Sequence, residues 1–235
     1  MKMITLKDIK NNTDFRLMIE KANDYLTARG YTEHGMRHVS YVADTTMYIL
    51  RELGYDERTV ELGGIAGFTH DIGNMHNRKY HGPTGANIIF HELRALGMPL
   101  DEICKITTAV ANHEEEIGEP VTPITSALII ADKSDAHRTR VNKLNSTDIH
   151  DRVNHAILDS EVIVDRKSQS ITLNIKFDNT QCEIMDYFEI YLTRMDMCKR
   201  SANFLGCRFL LVINDLEMLG HSVILDPPKS KVADL

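Results

Sequence analysis

The sequence predicts a mainly α protein: a helical bundle followed by a small C-terminal α+β appendage. Two observations carry this. Apolar residues recur at helical spacing through about the first 155 of the 235 residues. Near Glu161 the pattern changes to short runs rich in β-branched and aromatic residues, separated by polar turn residues. The expected division is therefore 1–158 for the bundle and 159–235 for the appendage. A composition of 43% hydrophobic and 26% charged residues suits a globular chain able to bury a sizeable core.

Seven bundle helices are predicted. Phe15, Met18, Ile19, Ala22, Tyr25 and Leu26 place the first over 14–28, stopped by Gly30. The second follows Gly35, with Val39, Val42, Thr46 and Ile49 inward, and ends at Gly54. Asp56 caps a third that runs to about Ile72 and contains Gly63, Gly64 and Gly67. Each such glycine weakens a helix by about 1 kcal/mol, so close approach of a neighbouring helix is the expected compensation. Pro83 opens a fourth helix through Leu96. A fifth covers Leu100–His113, a sixth Ile124–Lys133 and a seventh Asp148–Leu158. In the appendage, Glu161–Asp165 and Ile171–Phe177 read as a hairpin. A long helix with Ile184, Phe188, Tyr191, Leu192 and Met195 on one stripe follows, and CRFLLVIND near 207–215 reads as a buried strand. The tail HSVILDPPKSKVADL reads as loosely held.

No apolar run reaches the length of a membrane span or signal peptide. The four cysteines have no CxxC spacing and read as reduced thiols of a cytoplasmic protein. A net charge of −7 argues against a broad nucleic-acid footprint. A homodimer is compatible with the sequence.

The chemistry lies in five segments: GMRHVSYVA, GFTHDIGN, KYHGPTGA, VANHEEEIG and IIADKSDAHR. They supply His38, His70, Asp71, His81, His113 and Asp132, each on or beside a core-facing position. His113 follows Ile103, Ile106 and Val110 at spacings of three and four, and Asp132 lies four after Leu128. A carboxylate on a core face is costly unless it is paired or binds a metal. A lone HD dipeptide or inward histidine means little. Together, four inward histidines and two such carboxylates point to one metal centre. Imidazole and carboxylate suit first-row divalent ions such as iron, manganese, zinc or nickel. His70 and Asp71 differ by about 100° around a helix, so both reach one site only where the helix packs closely or ends, as Gly73 suggests. Six ligands exceed one tetrahedral ion and suit two divalent ions sharing a carboxylate, with positions open to water and substrate.

The order His, His-Asp, His, His, Asp, with AGFTHDIGN and IIADKSDA around it, resembles the HD-domain superfamily of metal-dependent phosphohydrolases over about residues 30–145. The resemblance implies a helical bundle around the metal site. It implies that His38, His70, Asp71 and Asp132 hold one ion and that Asp71 bridges to a second held by His81 and His113. The branch acting on cyclic dinucleotides carries HHE followed by a GYP motif. This chain reads NHEEEIGEP, with Asn112 in place of the first His and Asn74 where that branch tends to have Lys, so that activity is not expected. Nor does the bundle have the KH-type region of the related endoribonucleases.

The expected function is a metal-dependent phosphohydrolase in which a metal-bridged hydroxide attacks a small phosphorylated substrate such as a nucleotide. Asp71 and Lys133 are the expected catalytic residues. His34, Arg78 and Lys133 are the candidates for substrate binding. His34 lies four before His38 on a shared helical face. Arg78 and Lys79 lie between two ligand segments, Arg138 and Arg140 can steer anions, and Lys133 is long enough to reach a phosphate. Glu114–Glu116 reads as a solvated acidic loop. His76, His91, His137, His150, His155 and His221 gain no support from spacing. Two alternatives stand: a di-iron oxygenase of the same fold, and a non-catalytic metal or ligand sensor.

Overall fold

A computed structural model describes residues 3–141 and 147–219. The predicted tail therefore lies wholly outside the described residues. The chain is mainly α, with a four-stranded sheet near its C-terminal end.

Several helices start where a side chain satisfies free N–H groups of the first turn. α1 (Leu6–Asn11) is closed by a capping box between Thr5 and Asp8. This short helix is not among the seven predicted from periodicity, although the T-x-x-D spacing of Thr5 and Asp8 marks its start. Asn12 caps α2 (Thr13–Ala28), accepting from the N–H groups of Asp14 and Phe15. α3 (Met36–Glu52) buries His38, Val39, Val42, Ala43, Thr46, Ile49 and Leu50 on one face. Asp56 caps α4 (Glu57–Thr69), as predicted. The α-helix stops at Thr69 rather than near Ile72: the chain passes through His70 and Asp71 into a 3-10 turn, Ile72–Met75.

α5 (His81–Ala95) begins two residues before Pro83, which sits inside its first turn where an N–H is not needed. α6 is Leu100–Ala111, so His113 lies just beyond its end. α7 (Pro123–Ser134) is capped by Thr122. α8 is shorter than expected, Ile149–Ala156, because Ile157 already pairs with Phe177 in the sheet.

The sheet order is β1-β2-β3-β4. β1 (Ile157–Asp165) and β2 (Ser170–Phe177) form the expected hairpin, lengthened at its first strand. α9 (Ile184–Phe204) then crosses to β3 (Arg208–Ile213), which runs parallel to β2. The run read as one strand to Asp215 ends at Ile213. Asn214 and Asp215 take positive φ, as a tight hairpin turn requires, and lead into β4 (Leu216–Leu219). Tyr187, Tyr191, Met195, Cys198 and Ala202 form the buried stripe of α9, whereas Leu192 is exposed.

α3 packs on α4 and α7, α4 also meets α6, and α9 lies against α7. One continuous apolar cluster runs from Ile4 and Phe15 through the bundle to Ile175 and Ile213 of the sheet. β1 begins at Ile157, so a strand spans the expected 158/159 division. None of the described helices is long and apolar enough to cross a membrane.

The glycines of α4 have the expected role. A Cβ on Gly67 would lie 2.7 Å from Ala43 Cα and 2.9 Å from Ala43 N, so α3 and α4 touch backbone to backbone there. That contact sets the separation between the helix that carries His38 and the one that leads into His70. Gly67→Ala should therefore lower thermal stability by the equivalent of about 1–3 kcal/mol, the usual cost of overpacking. A melting temperature equal to wild type would contradict the close approach.

Candidate metal centre

Backbone carbonyls fix the orientation of three imidazoles. His70 Nδ1 faces Gly67 O at 2.8 Å, His81 Nδ1 faces Arg78 O at 2.8 Å, and His113 Nδ1 faces Val110 O at 2.6 Å. A carbonyl can only accept, so each Nδ1 donates, and a neutral ring keeps its lone pair on Nε2. His38 is oriented by a carboxylate instead, its Nδ1 lying 2.6 Å from Asp135 Oδ2. All four rings are buried.

Their Nε2 atoms converge in two pairs. His38 Nε2 lies 3.2 Å from His70 Nε2, and His81 Nε2 lies 3.1 Å from His113 Nε2. Asp71 stands between the pairs. Its Oδ2 is 3.5 Å from Nε2 of both His38 and His70. Its Oδ1 is 3.4 Å from His81 Nε2 and 3.9 Å from His113 Nε2. Asp132 Oδ1 joins the first pair, 3.4 Å from His38 Nε2 and 3.6 Å from His70 Nε2. Among the described residues, Asp71 Oδ2 is buried without a hydrogen-bond partner. Buried lone pairs aimed at one another are unfavourable on their own, and a cation between them removes the conflict. Nitrogen and carboxylate donors within 4.8 Å of one another, as in His38–His70–Asp71 and Asp71–His81–His113, are a donor set for a divalent metal ion.

Residues 35–139 match the HD domain family. Over those residues the chain is similar to an HD domain. The superfamily consists mostly of metal-dependent hydrolases. No curated protein and no solved structure matches the chain significantly. The match thus spans α3 to α7, while α8, α9 and the sheet lie outside it.

The helix end at His70–Asp71 lets both side chains of the HD pair enter the site. The 3-10 turn that follows presses on the start of α5: a Cβ on Gly73 would lie 2.0 Å from His81 O. Only glycine fits there, which ties the HD pair to His81. Asn74 donates to Asp71 Oδ1 at 2.7 Å and holds the carboxylate in place.

Two surrounding carboxylates, Asp135 and Glu114, are not among the site residues the sequence predicts. Asp135 accepts from both terminal nitrogens of Arg37 at 3.0 and 2.8 Å, besides meeting His38. Buried Arg140 donates to Glu33 O and Asp135 O, so it braces this loop instead of steering anions from a solvated face. Glu114 is buried rather than part of a solvated acidic loop. It accepts from Tyr80 N and Gly82 N and lies 3.5 Å from His81 Nδ1. Burial opposes its charge, but His81 and those two N–H groups hold its carboxyl down to about 2. For Asp135 the available signal was its position three residues after Asp132. For Glu114 it was adjacency to His113.

His34, Arg78 and Lys133 surround the same opening as Asp71 and Asp132. The His34 ring meets the His38 ring edge-on, 5.2 Å between centroids, and burial holds it well below its ordinary pKa. Lys133 is buried and folds back, its Nζ 2.7 Å from Asp132 Oδ2. Beyond the opening lies a cavity of about 340 Å³ whose walls include Tyr31, His34, Arg78, Tyr191 and Arg194. Among the histidines without sequence support, His150 lines this cavity and His137 bonds Leu158 O, while His221 lies outside the described residues.

Two predictions follow from the histidine environments. Burial disfavours a charge on His38, yet the carboxylates of Asp132, Asp135 and Asp71, all within 3.5 Å of its ring nitrogens, push it up to about 10. At neutral pH the metal-free ring therefore carries an extra proton, which a metal at Nε2 must expel. Calorimetric titration of metal in buffers of different ionisation heat should show net proton release, and apparent affinity should weaken as pH falls. Heats independent of the buffer would contradict this. Separately, Asp135→Asn removes the charge that orients His38, and should weaken metal affinity by about 10–100-fold in a chelator competition. Wild-type affinity would mean that His38 is oriented by packing alone.

Proposed function

We propose that this chain is a metal-dependent phosphohydrolase that cleaves a small phosphate ester, with nucleotides foremost among candidate substrates. The observation that supports this is the position of Asp71: each carboxylate oxygen faces a different imidazole pair, beside an opening lined by cations. When bound, two divalent ions at such a site supply Lewis-acid activation of water and charge stabilisation at phosphorus. Iron, manganese, zinc and nickel all suit the donor set.

The rest is the work of the chain's own residues. Asp71 holds the two halves of the centre at a fixed separation, and Asn74 and Gly73 keep it there. His38, His70 and Asp132 form one half, His81 and His113 the other. Water adds to phosphorus, the phosphorus–oxygen ester bond breaks, and a proton passes to the leaving oxygen. Lys133 is the candidate donor, because its ammonium lines the opening on the Asp132 side. His34 and Arg78 flank the incoming ester.

The test is phosphate release by manganese-loaded protein across nucleoside monophosphates and p-nitrophenyl phosphate, with oxygen uptake followed in parallel on iron-loaded protein. Phosphate release is expected. Oxygen uptake with a small organic substrate and no phosphate release would overturn the hydrolase reading in favour of an oxygenase. Lys133→Ala should keep its metal and lose about 10²–10⁴-fold in kcat if it protonates the leaving group. A change confined to KM would make it a binding residue instead.

A further inference from the structure

We propose that Arg194, on a helix outside the HD domain, is a binding residue for the substrate's phosphoryl group and completes the site. The inference rests on the phosphohydrolase reading. It explains why α9 lies directly against α7, the helix that carries Asp132 and Lys133.

The cations around the opening are not equivalent. Lys133 is engaged by Asp132 at 2.7 Å. Arg140 is spent on the carbonyls of Glu33 and Asp135. Arg78 reaches Asn74 Oδ1 at 3.4 Å and lies over the Tyr31 ring. Arg194 has one hydrogen bond among the described residues, from Nε to Glu115 Oε2 at 3.1 Å. Both terminal nitrogens of its fork remain for an anion. Arg194 borders both the opening beside Asp71 and the larger cavity beyond it.

Its guanidinium is also held in place before any ligand arrives. It stacks over the Tyr191 ring, 4.8 Å from the centroid. Tyr191 is buried, and its hydroxyl donates to Asn154 Oδ1 at 2.8 Å. One face of the fork is therefore packed and one edge is paired, leaving the other edge for two parallel N–H···O bonds to a phosphoryl group. A planar fork held this way loses little freedom when it binds.

The test uses full-length, manganese-loaded protein and inorganic phosphate as the probe. Phosphate should protect Arg194 of the wild type from phenylglyoxal, read by peptide mass spectrometry. Arg194→Gln should keep metal stoichiometry and weaken phosphate binding by about tenfold or more, as expected for lost charge-assisted hydrogen bonds. Glu115→Gln removes the ion pair but leaves the fork, and should stay within about twofold of wild type. Modification of Arg194 at the same rate with and without phosphate would overturn the proposal, even if Arg194→Gln does not fold. So would equal losses in the two variants, since Arg194 would then serve only its pair with Glu115. Protection of Arg194 in a protein that hydrolyses no phosphate ester would retain the anion site and reject the hydrolase reading.

Discussion

The arrangement depends on one buried carboxylate facing two pairs of imidazoles. A charge at Asp71, nearly without access to solvent, is unfavourable unless cationic partners surround it. The four Nε2 atoms near it are held by groups that cannot rotate away: three backbone carbonyls and one carboxylate itself locked by two arginines. The site is thus made rigid from behind, through the Nδ1 atoms, while the Nε2 faces remain available. A metal centre needs that division of roles between its ligands and the groups that orient them.

The fold serves this constraint through contact between backbones. Gly67 lets α3 and α4 meet, and Gly73 lets the HD turn press on the first turn of α5. Glu114 then binds the N–H groups at that turn, next to the histidine that follows α6. Apart from α7, each element that carries a proposed ligand is therefore tied to its neighbour by a contact that a larger or apolar residue would break. The sheet and α9 share the same apolar cluster as the bundle, which brings Arg194 to the site from a segment distant in sequence.

Much of this was legible in the sequence, for identifiable reasons. Helical periodicity and Asp56, Gly30 and Gly54 mark α2 to α4 because they act locally. The six His and Asp residues stand out because inward polar residues need a shared partner. What the sequence did not reveal depends on contacts between distant segments. Asp135 and Glu114 look like ordinary surface acids until the fold buries them against His38 and His81. Arg194 and Arg140 look like two of many arginines; only the docking of α9 on α7 and of Glu33 on the Asp135 loop distinguishes them. The helix end at Thr69 and the strand starting at Ile157 shifted because tertiary pairing overrides local preference there.

The central claim is that Asp71 joins two separate half-sites. Metal analysis of the full-length protein, reconstituted with manganese and freed of loosely held ions, tests it most directly. The wild type should hold two ions per chain, and a His81→Ala, His113→Ala double variant should hold one. A wild type with a single ion, or a double variant that still holds two, would contradict the shared-carboxylate account.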